Sequence, residues 1–154
     1  MKIALSGDHR GVASIRLLAE KLKREGHEPI VVGDCSGAAC DYPERAWEVG
    51  QTVASRNADL GILICGTGIG MAIAANKVKG IRAAVVHDEL TAQLSRSHND
   101  ANVLCLSADL LGQRLIEKIV EVWLASSFEG GRHSRRIRKV IAMENGQDPA
   151  TVSE

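Results

Sequence analysis

The sequence predicts a single α/β domain, a doubly wound parallel sheet of about five strands with helices on both faces. Three observations carry this. Short β-branched runs alternate with longer stretches of helical period along the chain, the pattern of right-handed βαβ units. The strand runs are apolar throughout rather than alternating, as a sheet covered on both faces requires. A chain of 154 residues suits one continuous core.

The elements follow in order. "KIALS" (2–6) reads as the first strand, and 11–26 as an amphipathic helix with Val12, Ile15, Leu18, Ala19 and Leu22 on one face and Gly26 as its stop. "PIVVG" (29–33) is the second strand, and "DCSGAACDYP" (34–43) is a loop. Pro43 suits the first turn of a helix over about 43–57. "LGILIC" (60–65) leads into a glycine loop and a helix to about 79, then "IRAAVV" (81–86), a helix over 88–97 and "NVLCLS" (102–107). Segment 109–126 lines up Leu111, Leu115, Ile119, Val122 and Trp123, and a Gly-Gly break precedes a basic C-terminal helix. Residues 1–145 form the predicted domain and 146–154 a flexible tail.

Nineteen basic and nineteen acidic residues give zero formal net charge, which argues against an electrostatic grip on nucleic acid or an anionic membrane. No apolar run approaches the ~20 residues of a membrane span. The N-terminus turns polar too early for a secretory signal, so the expected compartment is the cytoplasm. The cysteines at 35, 40, 65 and 105 form no CxxC pair and are expected as free thiols in a reducing cytosol. Neither a HExxH motif nor a Cys/His quartet occurs, so no metal and no cofactor is expected.

In an open α/β sheet, ligands bind beyond the carboxyl ends of the strands, where strand order reverses. That rule directs attention to "SGDHRG" (6–11) and "CGTGIG" (65–70). The glycines at 66, 68 and 70 miss the dinucleotide fingerprint, whose last glycine is replaced by Met71, and no Gly-Lys-Ser/Thr ending makes a P-loop. Alternating glycines before a helix can still aim backbone N–H groups into one anion-binding concavity. Cys65 stands at its lip, where a helix start stabilises a thiolate, and Thr67 adds a hydroxyl. The loop therefore offers a base or nucleophile beside an oxyanion hole.

Other polar residues stand out. Asp8 and His9 follow the first strand, although the pair could equally be a cap and a surface histidine. His98 and Asn99 precede the strand at 102, and Tyr42 is the sole tyrosine. Arg132 and Arg136 are four apart on one helix face, an arrangement suited to bidentate phosphate capture as well as to a solvated face.

"GDHRG", "DYP", "ILICGTGIGMAIAANK", "GIRAAV", "SHNDANVL" and "EGGRH" together resemble ribose-5-phosphate isomerase type B, of the group that includes galactose-6-phosphate isomerase subunits. The likeness runs in order from about residue 2 to 140. It implies a Rossmann-like three-layer sandwich and metal-free aldose–ketose isomerisation, with Cys65 as general base. Thr67 and the amides of Gly66, Gly68, Ile69 and Gly70 would hold the enediolate oxygen. His98 would open the sugar ring, assisted by Asp8 at the hydroxyls. His9, Arg132 and Arg136 would contact phosphate, while Tyr42 and Asn99 would line the substrate. The resemblance also implies a homodimer, or a tetramer, with active sites at the subunit interface.

Two departures bear on substrate. Some members carry a glutamate base further along the glycine-loop helix, where this chain has only small and apolar residues before Asn76. Asp109 stands where the family commonly has an arginine, and a carboxylate there is expected to repel phosphate. The expected reaction interconverts ribose 5-phosphate and ribulose 5-phosphate. The alternatives are the same chemistry on allose or galactose 6-phosphate or a tetrose 4-phosphate, and a non-catalytic sugar-phosphate or nucleotide-binding module.

Overall fold

The computed structural model describes residues 1–33 and 39–153. Its elements are β1 (Lys2–Gly7), α1 (Val12–Arg24), β2 (Glu28–Val31), α2 (Tyr42–Ala54), β3 (Leu60–Cys65), α3 (Ile69–Ala75), β4 (Ala83–Val85), α4 (Glu89–Ser97), β5 (Val103–Ser107), α5 (Gln113–Ala125) and α6 (Arg132–Glu144). The five strands form one sheet in the order β2-β1-β3-β5-β4, and every pairing is parallel. The register sets Gly7 opposite Ile64 and Cys65 opposite Ser107, so these carboxyl ends are level.

Alternate residues of the central strands serve opposite layers, as a pleat of period two dictates. Ile3, Leu5, Ile62, Ile64, Leu104 and Leu106 pack with Ile15, Leu18 and Leu22 of α1, Ala92 of α4 and Ile116, Ile119 and Trp123 of α5. Ala4, Leu63, Cys65, Val103 and Cys105 pack on the other face with Ala46, Val49 and Val53 of α2 and Met71, Ala72 and Ala75 of α3. The three-layer expectation holds, and no helix among the described residues is long and apolar enough to cross a membrane.

Three boundaries differ from the sequence reading, each for a local reason. The glycine-loop helix ends at Ala75 rather than near 79. The Asn76 amide donates to the carbonyls of Ala72 and Ala83 and accepts the Ala83 N–H, so it ties the helix end to β4. The helix expected from 109 begins at Gln113, because the Leu110 N–H closes a turn on the Ser107 hydroxyl and Gly112 is extended (φ −72°, ψ 152°) as the N-cap. Part of the tail, Pro149–Thr151, is a 3₁₀ turn capped by Asp148.

The cysteine expectation needs a correction. Cys65 and Cys105 are free, but Cys40 is disulfide-bonded. A disulfide needs two cysteines within about 7 Å as well as an oxidant, and that proximity is not visible in the sequence spacing. Cys35 lies outside the described residues.

Candidate active site

The chain turns from β1 to β2 on one side and returns through α2 to β3 on the other, so strand order reverses between β1 and β3. At the carboxyl ends there, Asp8 follows β1 and Cys65 closes β3, and the Asp8 N–H donates to the Ile64 carbonyl at 3.2 Å. Asp8 is buried, and its Oδ1 accepts the N–H groups of Arg10 at 2.9 Å and Gly11 at 3.2 Å. Its first visible task is to fix the turn that displays His9 and Arg10, both exposed.

Cys65 ends β3 with its side chain toward α2 and α3, and it is 5% exposed. The Gly68 N–H points at Sγ from 3.1 Å. That aim depends on a left-handed Gly68 (φ 78°) at the start of α3, a conformation that glycine alone adopts without strain. Thr67 is exposed and accepts the Ile69 N–H on Oγ1 at 3.3 Å. The Tyr42 ring, at the start of α2, lies directly against Gly70. The loop thus brings a thiol, a hydroxyl and amide donors together under an aromatic edge. The other free thiol, Cys105, is fully buried, and burial pushes its titration well up, so it is chemically silent.

Asp109 stands at the mouth of this loop, its carboxylate leaning over Gly66. Its Oδ1 takes the Arg10 guanidinium through Nε at 3.0 Å and Nη2 at 2.6 Å. The hydrogen bond to Asp109 and its charge hold the Arg10 guanidinium even further above its ordinary range. Both groups are largely solvated, so the pair adds little stability. Its importance is electrostatic: the expected repulsive carboxylate is offset by a cation from the end of β1, across β3 from β5. Arg10 was not singled out in the sequence, because its partner is 99 residues away.

The remaining predicted residues gather elsewhere. His98 caps the C-terminus of α4, immediately before β5, and therefore sits at the amino end of the sheet. Its ring stacks on His133 of α6, with centroids 4.2 Å apart and planes within 9°. The Nε2 atoms of both histidines lie 3.9 Å from Oε2 of Glu129. Arg132 Nε donates to His133 Nε2 at 3.4 Å, and Arg136 stands one helical turn on, exposed. The His98–Asn99 turn is pinned from below: Asp100 binds Arg82 at 2.8 Å and Arg96 at 3.0 Å, while Arg82 Nε also donates to the Asn99 and Asp100 carbonyls. Glu129 and His133 carry no role in the sequence reading, because Glu129 precedes α6 and only the fold brings it to His98 and His133.

The predicted site is thus in two halves. Asp8, His9, Tyr42, Cys65, Thr67 and Gly66–Gly70 belong to the carboxyl end, and His98, Asn99, Arg132 and Arg136 to the amino end or its flank. Five residues of β5 at about 3.3 Å each separate the two ends by roughly 16 Å.

His98, Glu129 and His133 are the one His/Cys/Asp/Glu group among the described residues with atoms close enough to hold an ion. Stacked rings, however, confine their lone pairs to two nearly parallel planes rather than letting them converge on one point, and Arg132 already donates to His133 Nε2. Both features disfavour a cation in this arrangement.

Residues 3–140 match the ribose/galactose isomerase family. The chain belongs to that family. Membership makes it an aldose–ketose isomerase by class. Ribose-5-phosphate isomerase B of Escherichia coli is 45% identical over 143 residues, covering 93% of this chain and 96% of that protein. Among solved structures, the Clostridium thermocellum ribose-5-phosphate isomerase B superposes with a TM-score of 0.93 at 44% identity, covering 95% of this chain and 99% of that one. The Mycoplasma genitalium ribose-5-phosphate isomerase B with bound ribulose-5-phosphate gives 0.89 at 44% identity, covering 94% and 96%.

Proposed function

We propose that the chain interconverts ribose 5-phosphate and ribulose 5-phosphate through an enediolate, using protein groups alone. The observation that carries this is the Gly68 amide aimed at the Cys65 sulfur from 3.1 Å, at the strand end where order reverses. A sulfur-centred charge there has a donor in place, and the developing oxyanion is assigned to Thr67 and the amides of residues 66–70. Cys65 removes the proton at C2 of the open-chain aldose. The C–H electron pair forms the C1–C2 double bond and the carbonyl electrons move to O1, which Thr67 and the loop amides stabilise. Returning the proton to C1 and passing the O2 hydroxyl proton to O1, which leaves the carbonyl at C2, completes the ketose.

Opening of the furanose belongs to His98, and phosphate binding to His9, Arg132 and Arg136. Because Cys65 and His98 lie at opposite ends of the sheet, one chain cannot present both to one sugar. We infer a homodimer in which the histidine half of one subunit completes the cysteine half of the other. A phosphorylated sugar does not cross a bilayer unaided, which favours the cytoplasm as the working compartment.

The test is deuterium wash-in at C2 of ribose 5-phosphate in heavy water, followed by comparison with allose, galactose and erythrose phosphates. Exchange together with ketose formation, fastest on ribose 5-phosphate, is expected. Binding without exchange overturns the enzymatic reading, and preference for another sugar overturns the substrate.

A further inference from the structure

The stacked histidines contain a buried imidazole that the mechanism above leaves unused. His133 is 5% exposed, while the side chain of His98 is 36% exposed. Two parallel imidazoles at 4.2 Å repel one another when both are cationic, so the stack favours at most one added proton, and one positive charge, on the pair. Burial decides who holds it. Desolvation first, then His98, Arg132 and Arg136, push the His133 titration below its ordinary value, against the opposing pull of Glu129. The Arg132 donation to His133 Nε2 also requires a lone pair there, which places the His133 hydrogen on Nδ1. The groups facing the pair are His98 at the end of α4, Glu129 on the connecting segment, and Arg132 and Arg136 on α6. Glu129 is fastened to α4 as well, since its N–H donates to the Ser97 carbonyl at 3.0 Å.

We propose that His133 and Glu129 are positioning residues that keep the proton of the stacked pair on His98, so that His98 acts as the acid in ring opening. The proposal rests on the ring-opening assignment above. In that step the C1–O4 bond breaks, its electron pair stays on O4, and O4 takes the proton from His98. The O1 hydroxyl proton passes to solvent water, the O1–H electron pair forms the second C1–O1 bond, and C1 becomes the aldehyde carbonyl. Neutral His133 supplies a flat support that does not compete for the proton. The Glu129 carboxylate compensates the imidazolium it borders.

The two directions of the reaction separate this role from a structural one. Ribose 5-phosphate is closed and must be opened, whereas ribulose 5-phosphate has its 5-hydroxyl esterified and cannot close a furanose ring. Deuterium wash-in at C1 of ribulose 5-phosphate therefore needs Cys65 but no ring opening. We expect Glu129→Gln and His133→Ala to slow ketose formation from ribose 5-phosphate at least about tenfold, while wash-in into ribulose 5-phosphate stays within about threefold of wild type. In Glu129→Gln the alkaline limb of kcat/KM on ribose 5-phosphate should move to lower pH. His133→Phe, which keeps a flat neutral ring, should recover most of the opening rate. Glu129 is 59% exposed, so its variant reports even if His133→Ala does not fold. Equal losses in both reactions, or an unmoved pH limb in Glu129→Gln, would overturn the proposal. Wild-type protein that gives no wash-in from either sugar would instead overturn the isomerase reading and this proposal with it.

Discussion

The Tyr42 ring lies against Gly70, with Cε2 and Cζ 2.8 Å from where a β-carbon on Gly70 would project. The contact falls on the free end of a side chain that is 41% exposed and able to swing away. Gly70→Ala should therefore fold normally, with stability within about 1 kcal/mol of wild type, since alanine is also the better helix former. Its expected defect is in KM for the sugar phosphate, because Tyr42 no longer covers the loop. Urea unfolding and steady-state kinetics on the same preparation check this; an unchanged KM removes Tyr42 from the substrate-lining set.

Gly68→Ala should behave differently. A β-carbon there would stand 3.1 Å from the backbone carbon of Leu106, which belongs to the central sheet and cannot turn aside. The left-handed backbone adds roughly 1–2 kcal/mol of strain for a non-glycine residue. The expected outcome is a loss of stability of that order and a larger relative loss of kcat, because relief of the strain moves the amide off the Cys65 sulfur. Matched kcat in the two alanine variants would contradict the role given to this amide.

These two glycines show how unevenly the sequence disclosed the site. Cys65 and the glycine loop could be read because the apolar run "LGILIC" ends at a strand boundary, and the chemistry sits within a few consecutive residues. Asp8 could be read for the same reason. The Arg10–Asp109 pair and the His98–His133 stack could not, since each depends on which strand ends and helix ends become neighbours in space. The fold was readable almost entirely from apolar runs. Its misplaced boundaries are those where a side chain or a long-range hydrogen bond ends a helix, as Asn76 does.

Asp100 has a positive φ of 46° and holds Arg82 and Arg96 on its two carboxylate oxygens. Its removal leaves two partly buried guanidinium groups without that acceptor. Asp100→Ala should cost about 2 kcal/mol. It should also impair conversion of ribose 5-phosphate more than wash-in into ribulose 5-phosphate, because the turn it clamps carries His98 and Asn99. Thermal unfolding beside the two assays checks both parts.

Acid sensitivity has an identifiable source at the other end of α4. The Asp88 carboxylate accepts the Thr91 N–H at 2.7 Å and the Thr91 hydroxyl at 3.0 Å, and these bonds hold it below its ordinary titration range. A carboxyl depressed by folding stabilises the protein above its unfolded value, and that contribution is lost as pH falls through the folded value. Asp88→Asn keeps a capping oxygen without the charge. The stability gap between wild type and this variant should be constant near neutrality and close below about pH 4. Denaturant unfolding from pH 3 to 7 reads it, and a gap that widens with acid would reverse the assigned sign.

The split between the cysteine and histidine halves makes a prediction that no single-site variant can test. Cys65→Ala and His98→Asn homodimers should each be inactive on ribose 5-phosphate, because every site has lost one half. In a mixed dimer, the wild-type Cys65 of one subunit meets the wild-type His98 of the other in one site, and both lesions fall in the second. Random reassortment makes half the dimers mixed with one good site each, so refolding an equal mixture should restore about a quarter of wild-type activity. If each active site were built within one chain, the mixture would stay inactive. Native mass spectrometry with one variant isotopically labelled shows whether mixed dimers formed, so a null result counts against the shared site rather than against mixing.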